Sequence, residues 1–260
     1  DCIKRIKELD ESGYKETVLT GIHLASFGKG TDKDLIDLLE AVGKQVPRMK
    51  IRLGSMDPSY LNEEKIIRLS YIPNLCAHYH LSLQSGCDAT LKRMNRKYTV
   101  AEYANVAGLL QKHIPDVSLT TDIIVGFPGE TEEEFKETVQ FIQDVGLYRL
   151  HVFPYSPREG TKAAKMPNQI PKAVKDERSE VLIALNRDLM ARHHEKFLGR
   201  TLKVLFETEF QDEEAGVSGA YYEGLTDNYI KTVSSNPNIA AGEFLNVRLL
   251  RSQGEYVIAE

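Results

Sequence analysis

Polar residues gather at the carboxyl ends of strand-like runs in the first 155 residues: Gly21 and His23, Ser55 with Asp57, Gln84 with Ser85 and Gly86, Asp122, and Tyr155 with Ser156. In a parallel sheet those ends converge on one rim, so hydroxyl, amide and carboxylate groups would face a common small-molecule ligand. Taken singly, each also reads as a strand cap or the start of a loop. The run KRMNRKYT, residues 92–99, sets four basic side chains within six positions beside Tyr98. Arg93 and Arg96 are the candidates there, because a guanidinium fork grips a carboxylate or phosphate bidentately; a solvated loop is the plain alternative. Cys76, His78 and His80 give a C-x-H-x-H spacing compatible with a metal, although alternate residues of a strand more often serve packing. The three cysteines, Cys2, Cys76 and Cys87, are an odd count without ligand spacing. That argues against a disulfide framework and against a self-contained zinc site. His193 and His194 come late in a long helical pattern, where the helix dipole favours cations.

The elements that must position these residues are legible from periodicity. DIIVGFPGETEEE, residues 122–134, joins an apolar strand to a helix start through a tight turn. Thr131 is the expected N-cap, Glu134 completes a capping box, and Gly146 supplies the stop. Gly126 and Gly129 read as turn formers, since the acidic run behind them would repel a phosphate. Strands are expected over 16–23, 49–55, 77–83, 117–125 and 148–155, with helices near 32–46, 61–71, 100–113 and 132–145. Such alternation predicts βαβ units and a parallel sheet, either part of a barrel or doubly wound. A Pro- and Lys-rich stretch from Ser156 leads into a helix over 173–198. Short β-type runs separated by Gly, Asn and Pro follow, which predicts a small all-β barrel. The expected domains are 1–198 and 199–260.

Of 260 residues, 42% are hydrophobic and 27% charged, which excludes a disordered chain. The net charge of −5 falls in the second domain, where five basic residues face ten acidic ones; the first 198 residues carry 28 of each. Polyanions must therefore be met by local patches. Without an apolar run of about 18 residues or a targeting segment, a soluble, cytoplasmic protein is expected, with no membrane partner. The first residue, Asp1, falls inside an amphipathic pattern (Ile3, Ile6, Leu9), so the chain reads as a fragment of a longer one.

Taken together, VLTGIHLASFG, HYHLSLQSG, LKRMNRKYT, TDIIVGFPGETEEEF and RLHVFPYSPREGTKAAKMP resemble the radical S-adenosylmethionine methylthiotransferases. The VLTGIH form, with Thr20, Gly21 and His23, is most similar to the branch that modifies N6-threonylcarbamoyladenosine at position 37 of tRNA. Branches acting on isopentenyladenosine tRNA or on a ribosomal protein are the alternatives within the family. The resemblance implies an α/β partial (βα) barrel of the radical SAM type, with five of six strands present, followed by a TRAM-like β-barrel that binds RNA. It implies S-adenosylmethionine and two [4Fe-4S] clusters as cofactors, tRNA as substrate, an electron donor such as flavodoxin or ferredoxin, and a monomer.

By the same resemblance, Gly21, His23, Ser55, Gln84, Arg96 and Asp122 would surround the cofactor. Arg93, Tyr98, Lys203, Tyr229 and Lys231 would meet substrate or RNA. The family's C-x-x-x-C-x-x-C cluster loop has no match here, so the chain alone is expected to be catalytically silent. Two readings lie outside the methylthiotransferases. One is a non-catalytic RNA-binding protein on a partial-barrel scaffold; the other is a metabolic enzyme acting on a small anion.

Overall fold

A computed structural model describes residues 1–21, 24–212 and 217–260. In chain order its first part comprises α1 (Cys2–Glu11), β1 (Glu16–Leu19), α2 (Leu35–Gln45), β2 (Lys50–Leu53), β3 (Ser55–Met56), α3 (Glu63–Ser70), β4 (His78–Leu81), α4 (Asp88–Arg93), α5 (Val100–His113), β5 (Ser118–Val125), α6 (Glu132–Val145) and β6 (Arg149–Pro154). Helix α7 (Lys172–Glu195) then leads to β7 (Thr201–Asp212), β8 (Val217–Thr226), β9 (Lys231–Ser234), β10 (Glu243–Gln253) and β11 (Tyr256–Ala259).

Every pairing in the first part is parallel and follows chain order, β1 beside β2 and then β3–β4–β5–β6. A bridge from Ile51 to Leu75 joins β2 to the segment ahead of β4. A doubly wound sheet reverses its strand order at a switch point; these strands do not, which removes that topology. The strand expected over 49–55 is interrupted. Ile51 lies opposite Leu75 but Ser55 lies opposite His80, so the ladder slips by one residue across Gly54. The slip turns Ser55 to the side of His80 and leaves Met56 in the core. A Cβ on Gly54 would stand 3.2 Å from the Leu19 carbonyl, so the slip suits glycine.

Helices α2, α3, α5 and α6 supply Leu39, Ile66, Tyr103 and Ile142 to one face of the sheet, against Ile51 and Leu81. Helix α6 begins as its sequence predicts, with the Thr131–Glu134 capping box, and ends on Gly146 at φ 76°. The other face of the sheet is polar at alternate positions. Glu16, Arg52, Cys76, His78, His80, Thr120, Asp122 and His151 contact one another across neighbouring strands.

Strands β7–β11 close into a barrel in the order β10–β11–β9–β8–β7. Its apolar centre, with Val204, Phe206, Ile230 and Val247, is continuous with Tyr148 and Met190 of the preceding part. His193 and His194 sit at this seam, and the expectation of helix-end cations is corrected there. His193 Nε2 pairs with Ser118 Oγ at 2.8 Å, while His194 bridges Tyr148 Oη at 3.0 Å and Ser252 Oγ at 2.8 Å. Burial pushes their pKa values down to about 3 and about 4, so both are neutral at pH 7. No described helix is long and apolar enough to cross a membrane.

Candidate functional site

The polar face of the parallel sheet runs from a closed base to an open rim. At the base, Arg52 is almost fully buried and all three nitrogens of its fork are engaged. Nε and Nη2 donate to the Glu16 carboxylate at 2.6 and 3.0 Å, and Nη1 and Nη2 donate to the carbonyls of Asp227 and Thr226 at 3.2 and 3.1 Å. Those carbonyls belong to the turn between β8 and β9. The turn is tight, with Ile230 donating to Thr226 Oγ1 at 2.8 Å and Tyr229 held at φ 69°, uncommon for a residue other than glycine. It carries the Tyr229 ring flat onto His78, centroids 4.0 Å apart and planes 8° apart, with the Arg52 guanidinium 5.3 Å from the same ring. Lys50–Asp227, at 2.5 Å, flanks the plug.

Above the plug, Thr120 Oγ1 lies 2.9 Å from His78 Nε2 and 3.0 Å from His80 Nδ1. His80 Nε2 lies 3.3 Å from Asp122 Oδ2, close to it but bent away from a full hydrogen bond. Burial opposes ionisation of Asp122; the hydrogen-bonding capacity of His80 and the electrostatic influence of the two imidazoles and the Arg96 guanidinium outweigh it. They hold the carboxyl below its ordinary value. Burial and Arg52 push His78 well down, and burial with the neighbouring His80 lowers His151. The rim thus keeps an anion over neutral His78 at pH 7.

Gln84 is set beside Asp122 by backbone bonds. Its N–H donates to the Asp122 carbonyl at 2.9 Å and its carbonyl accepts from Ile124 at 3.0 Å, with φ at 70°. Thr121 Oγ1 donates to the Leu81 carbonyl at 2.5 Å and accepts from Leu83 N at 2.9 Å, which sews the same segment to β5. A left-handed conformation at a residue other than glycine persists where surrounding bonds over-determine it. Tyr98 completes the support. It is buried, its hydroxyl donates to the carbonyls of Ser82 and Leu83 at 2.6 and 3.1 Å, and burial raises its pKa to about 12. Tyr98 therefore braces the rim rather than offering a free ring.

The other residues singled out from sequence divide into free and engaged groups. Gly21 and Ser55 are exposed at the ends of β1 and β3; His23 lies outside the described residues. Arg96 is exposed beside a cleft of about 500 Å³ shared with Lys92, Asn95 and Tyr98. Arg93 is engaged: both terminal nitrogens bind the Glu134 carboxylate, one of them at 2.9 Å, and Nη2 reaches Thr90 Oγ1 at 3.0 Å. It meets a carboxylate, as its residue type suggests, but one of its own chain. Lys203 is exposed with Nζ 4.2 Å from the centroid of Phe244, whereas Lys231 pairs with Glu223 at 2.6 Å. Tyr229, expected among RNA-facing residues, has one face covered by His78. Arg52 and Glu16 were not foreseen. They stand 36 residues apart, and no local spacing links them.

A family model described as the Radical SAM superfamily matches residues 1–142. The chain belongs to the radical SAM superfamily. It is 38% identical over 258 residues to the threonylcarbamoyladenosine tRNA methylthiotransferase MtaB of Bacillus subtilis, covering 98% of this chain and 56% of that protein. It is 35% identical over 263 residues to the tRNA-2-methylthio-N(6)-dimethylallyladenosine synthase of Clostridium perfringens, covering 100% of this chain and 58% of that protein. The chain therefore spans little more than half the length of these curated relatives. Among solved structures, the radical SAM enzyme coproporphyrinogen III oxidase (HemN) of Escherichia coli matches with a TM-score of 0.55 at 16% identity, over 67% of this chain and 40% of that one, and shares the fold.

Radical SAM proteins use S-adenosylmethionine and [4Fe-4S] clusters. The described residues do not fit a cluster. Cys2 lies on α1, Cys76 is buried with its thiol pushed up by burial, and Cys87 is buried at the start of α4. No group of three His, Cys, Asp or Glu among the described residues could hold a metal ion. The rim does fit a polar organic cofactor, because Asp122 is held ionised and the buried His80 Nε2 beside it lacks a full hydrogen-bond partner.

Proposed function

We propose that the chain is the cofactor- and RNA-handling part of a tRNA methylthiotransferase that adds a methylthio group to C2 of N6-threonylcarbamoyladenosine at tRNA position 37. The observation that carries the reading is the 38% identity to MtaB over 98% of this chain. In this reading the parallel sheet is a partial barrel of the radical SAM type over 1–198, and the five-stranded barrel over 199–260 is TRAM-like. S-adenosylmethionine, when bound, supplies the radical that activates the substrate. Gly21 and Ser55 line the side of β1 and β3, Gln84 and Asp122 accept hydroxyl hydrogen bonds from a ribose, and Arg96 takes a carboxylate of cofactor or substrate. Arg93 and Tyr98 act by bracing that rim. Lys203 offers its charge to RNA phosphates from the barrel. No step is assigned to a cluster, whose ligands these residues do not provide, and no turnover is expected from this chain by itself.

The 35% identity to the dimethylallyladenosine synthase supports a second reading, the same transfer on isopentenyladenosine tRNA. Mass spectrometry of tRNA nucleosides from cells deleted for the gene separates the two. Loss of the methylthio mark from threonylcarbamoyladenosine, with the unmodified precursor accumulating, is expected. Loss from isopentenyladenosine would select the second reading, and an unchanged nucleoside pattern would remove both.

A further inference from the structure

The hydrogen bonds that join His78, Thr120 and His80 have one favourable direction. Thr120 Oγ1 contacts His78 Nε2 and His80 Nδ1 together, and its single proton can go to only one imidazole; accepting from both would leave a bare His80 Nε2 lone pair against the Asp122 carboxylate, so it donates to one and accepts from the other. If Thr120 donated to His78 Nε2, the His78 proton would sit on Nδ1, which is buried without a partner. An orphaned buried donor costs about 1–3 kcal/mol. In the opposite direction His78 donates from Nε2, Thr120 donates to His80 Nδ1, a lone pair on His78 Nδ1 goes unmatched, and His80 Nε2 keeps a bent contact with the Asp122 carboxylate. The His80 proton then lies on Nε2, facing Asp122 Oδ2 at 3.3 Å. Because His78 Nδ1 makes no bond, the plane of that ring is set by Thr120 and by the stack with Tyr229.

We propose that Tyr229 is a positioning residue of the rim: by holding the plane of His78 it fixes the direction of the His78–Thr120–His80 row and keeps His80 Nε2–H turned toward Asp122. The five-stranded barrel is thereby a working part of the small-molecule site, reaching it from below through one aromatic ring clamped by Arg52. The row depends on the proposed function only in calling its ligand a cofactor.

Histidine-selective ¹⁵N NMR of the 260-residue chain reads the proton on each ring nitrogen, with the His80 signals assigned by their loss in His80→Gln. His80 is expected to carry its proton on Nε2 with a bare Nδ1. Tyr229→Leu removes the stack and should move His80 to a mixture of tautomers, its two nitrogen shifts drawing together, while thermal unfolding stays cooperative. Tyr229→Phe keeps the ring and should restore the original pattern. Should Tyr229→Leu fail to fold, Tyr229→Met, nearer in volume, carries the same comparison. A proton on His80 Nδ1 in the unaltered chain, or an unchanged His80 tautomer in a folded Tyr229 variant lacking the ring, overturns the proposal. Failure of the methylthiotransferase reading, seen in tRNA nucleosides, leaves these signals where they are.

Discussion

Arg93 and Arg96 stand three positions apart in one basic run, and their surroundings differ in kind. Arg93 closes α4 with its fork on Glu134, while Arg96 is exposed beside the cleft. Arg93→Ala leaves the Glu134 carboxylate without its main partner and is expected to lower unfolding stability by about 1–3 kcal/mol. Arg96→Ala is expected to shift it by less than about 0.5 kcal/mol. Urea melts of the two variants check the pair, and equal losses would sink the distinction. On the proposed function, Arg96→Ala in a cluster-bearing form of the protein should instead weaken binding of S-adenosylmethionine or tRNA; unchanged affinities for both would leave Arg96 a solvated loop residue. Sequence presents the two forks alike. What separates them is Glu134, legible as a capping-box residue but also bound to a side chain 41 positions earlier, and local spacing carries no trace of that pairing.

Elements were legible where periodicity sets them, and illegible where two backbones meet. The strands near 117–125 and 148–155 and the helices near 100–113 and 132–145 stand within a residue of their expected ends, because each buries one face of a regular repeat. The slip at Gly54 and the crowding at Gly224 depend on a neighbouring strand. A Cβ on Gly224 would stand 2.1 Å from the Leu205 carbonyl, a backbone atom that cannot swing aside. Gly108, exposed in α5, has nothing within 4 Å of its added Cβ. The same substitution should therefore have opposite signs. Gly224→Ala is expected to destabilise by about 1–3 kcal/mol or more through overpacking. Gly108→Ala is expected to stabilise by roughly 0.4–1 kcal/mol, through helix propensity and a less flexible unfolded chain. Denaturant midpoints measured side by side decide it, and a loss of stability in Gly108→Ala would contradict the assignment of an open, unstrained helical position.

At the scale of the whole molecule, three buried histidines stand where the parallel sheet meets the barrel. His78 lies under Tyr229, His193 joins α7 to β5, and His194 links Tyr148 to Ser252 of β10. Burial depresses all three, His193 to about 3 and His194 to about 4, against 6.5 for the unfolded side chain. Between those values the unfolded chain binds protons that the folded one refuses. Stability is then fully present above pH 6.5 and is lost as pH falls toward 4. Each histidine that takes up a whole proton on unfolding adds about 1.4 kcal/mol per pH unit to the slope. The carboxylates held low by Arg68 and Arg200, Glu40 and Asp116, act in the same direction but below pH 4.5, outside the upper part of that window. Replacing His193 and His194 together by Gln should lower stability at pH 7.5, since the glutamines repack imperfectly, yet flatten its dependence between pH 6.5 and 5. His78 and the lowered His151 leave a residual slope. Urea unfolding at half-unit steps through this range provides the measurement. A slope in the double variant as steep as in the parent chain would mean that the seam does not hold these two histidines neutral.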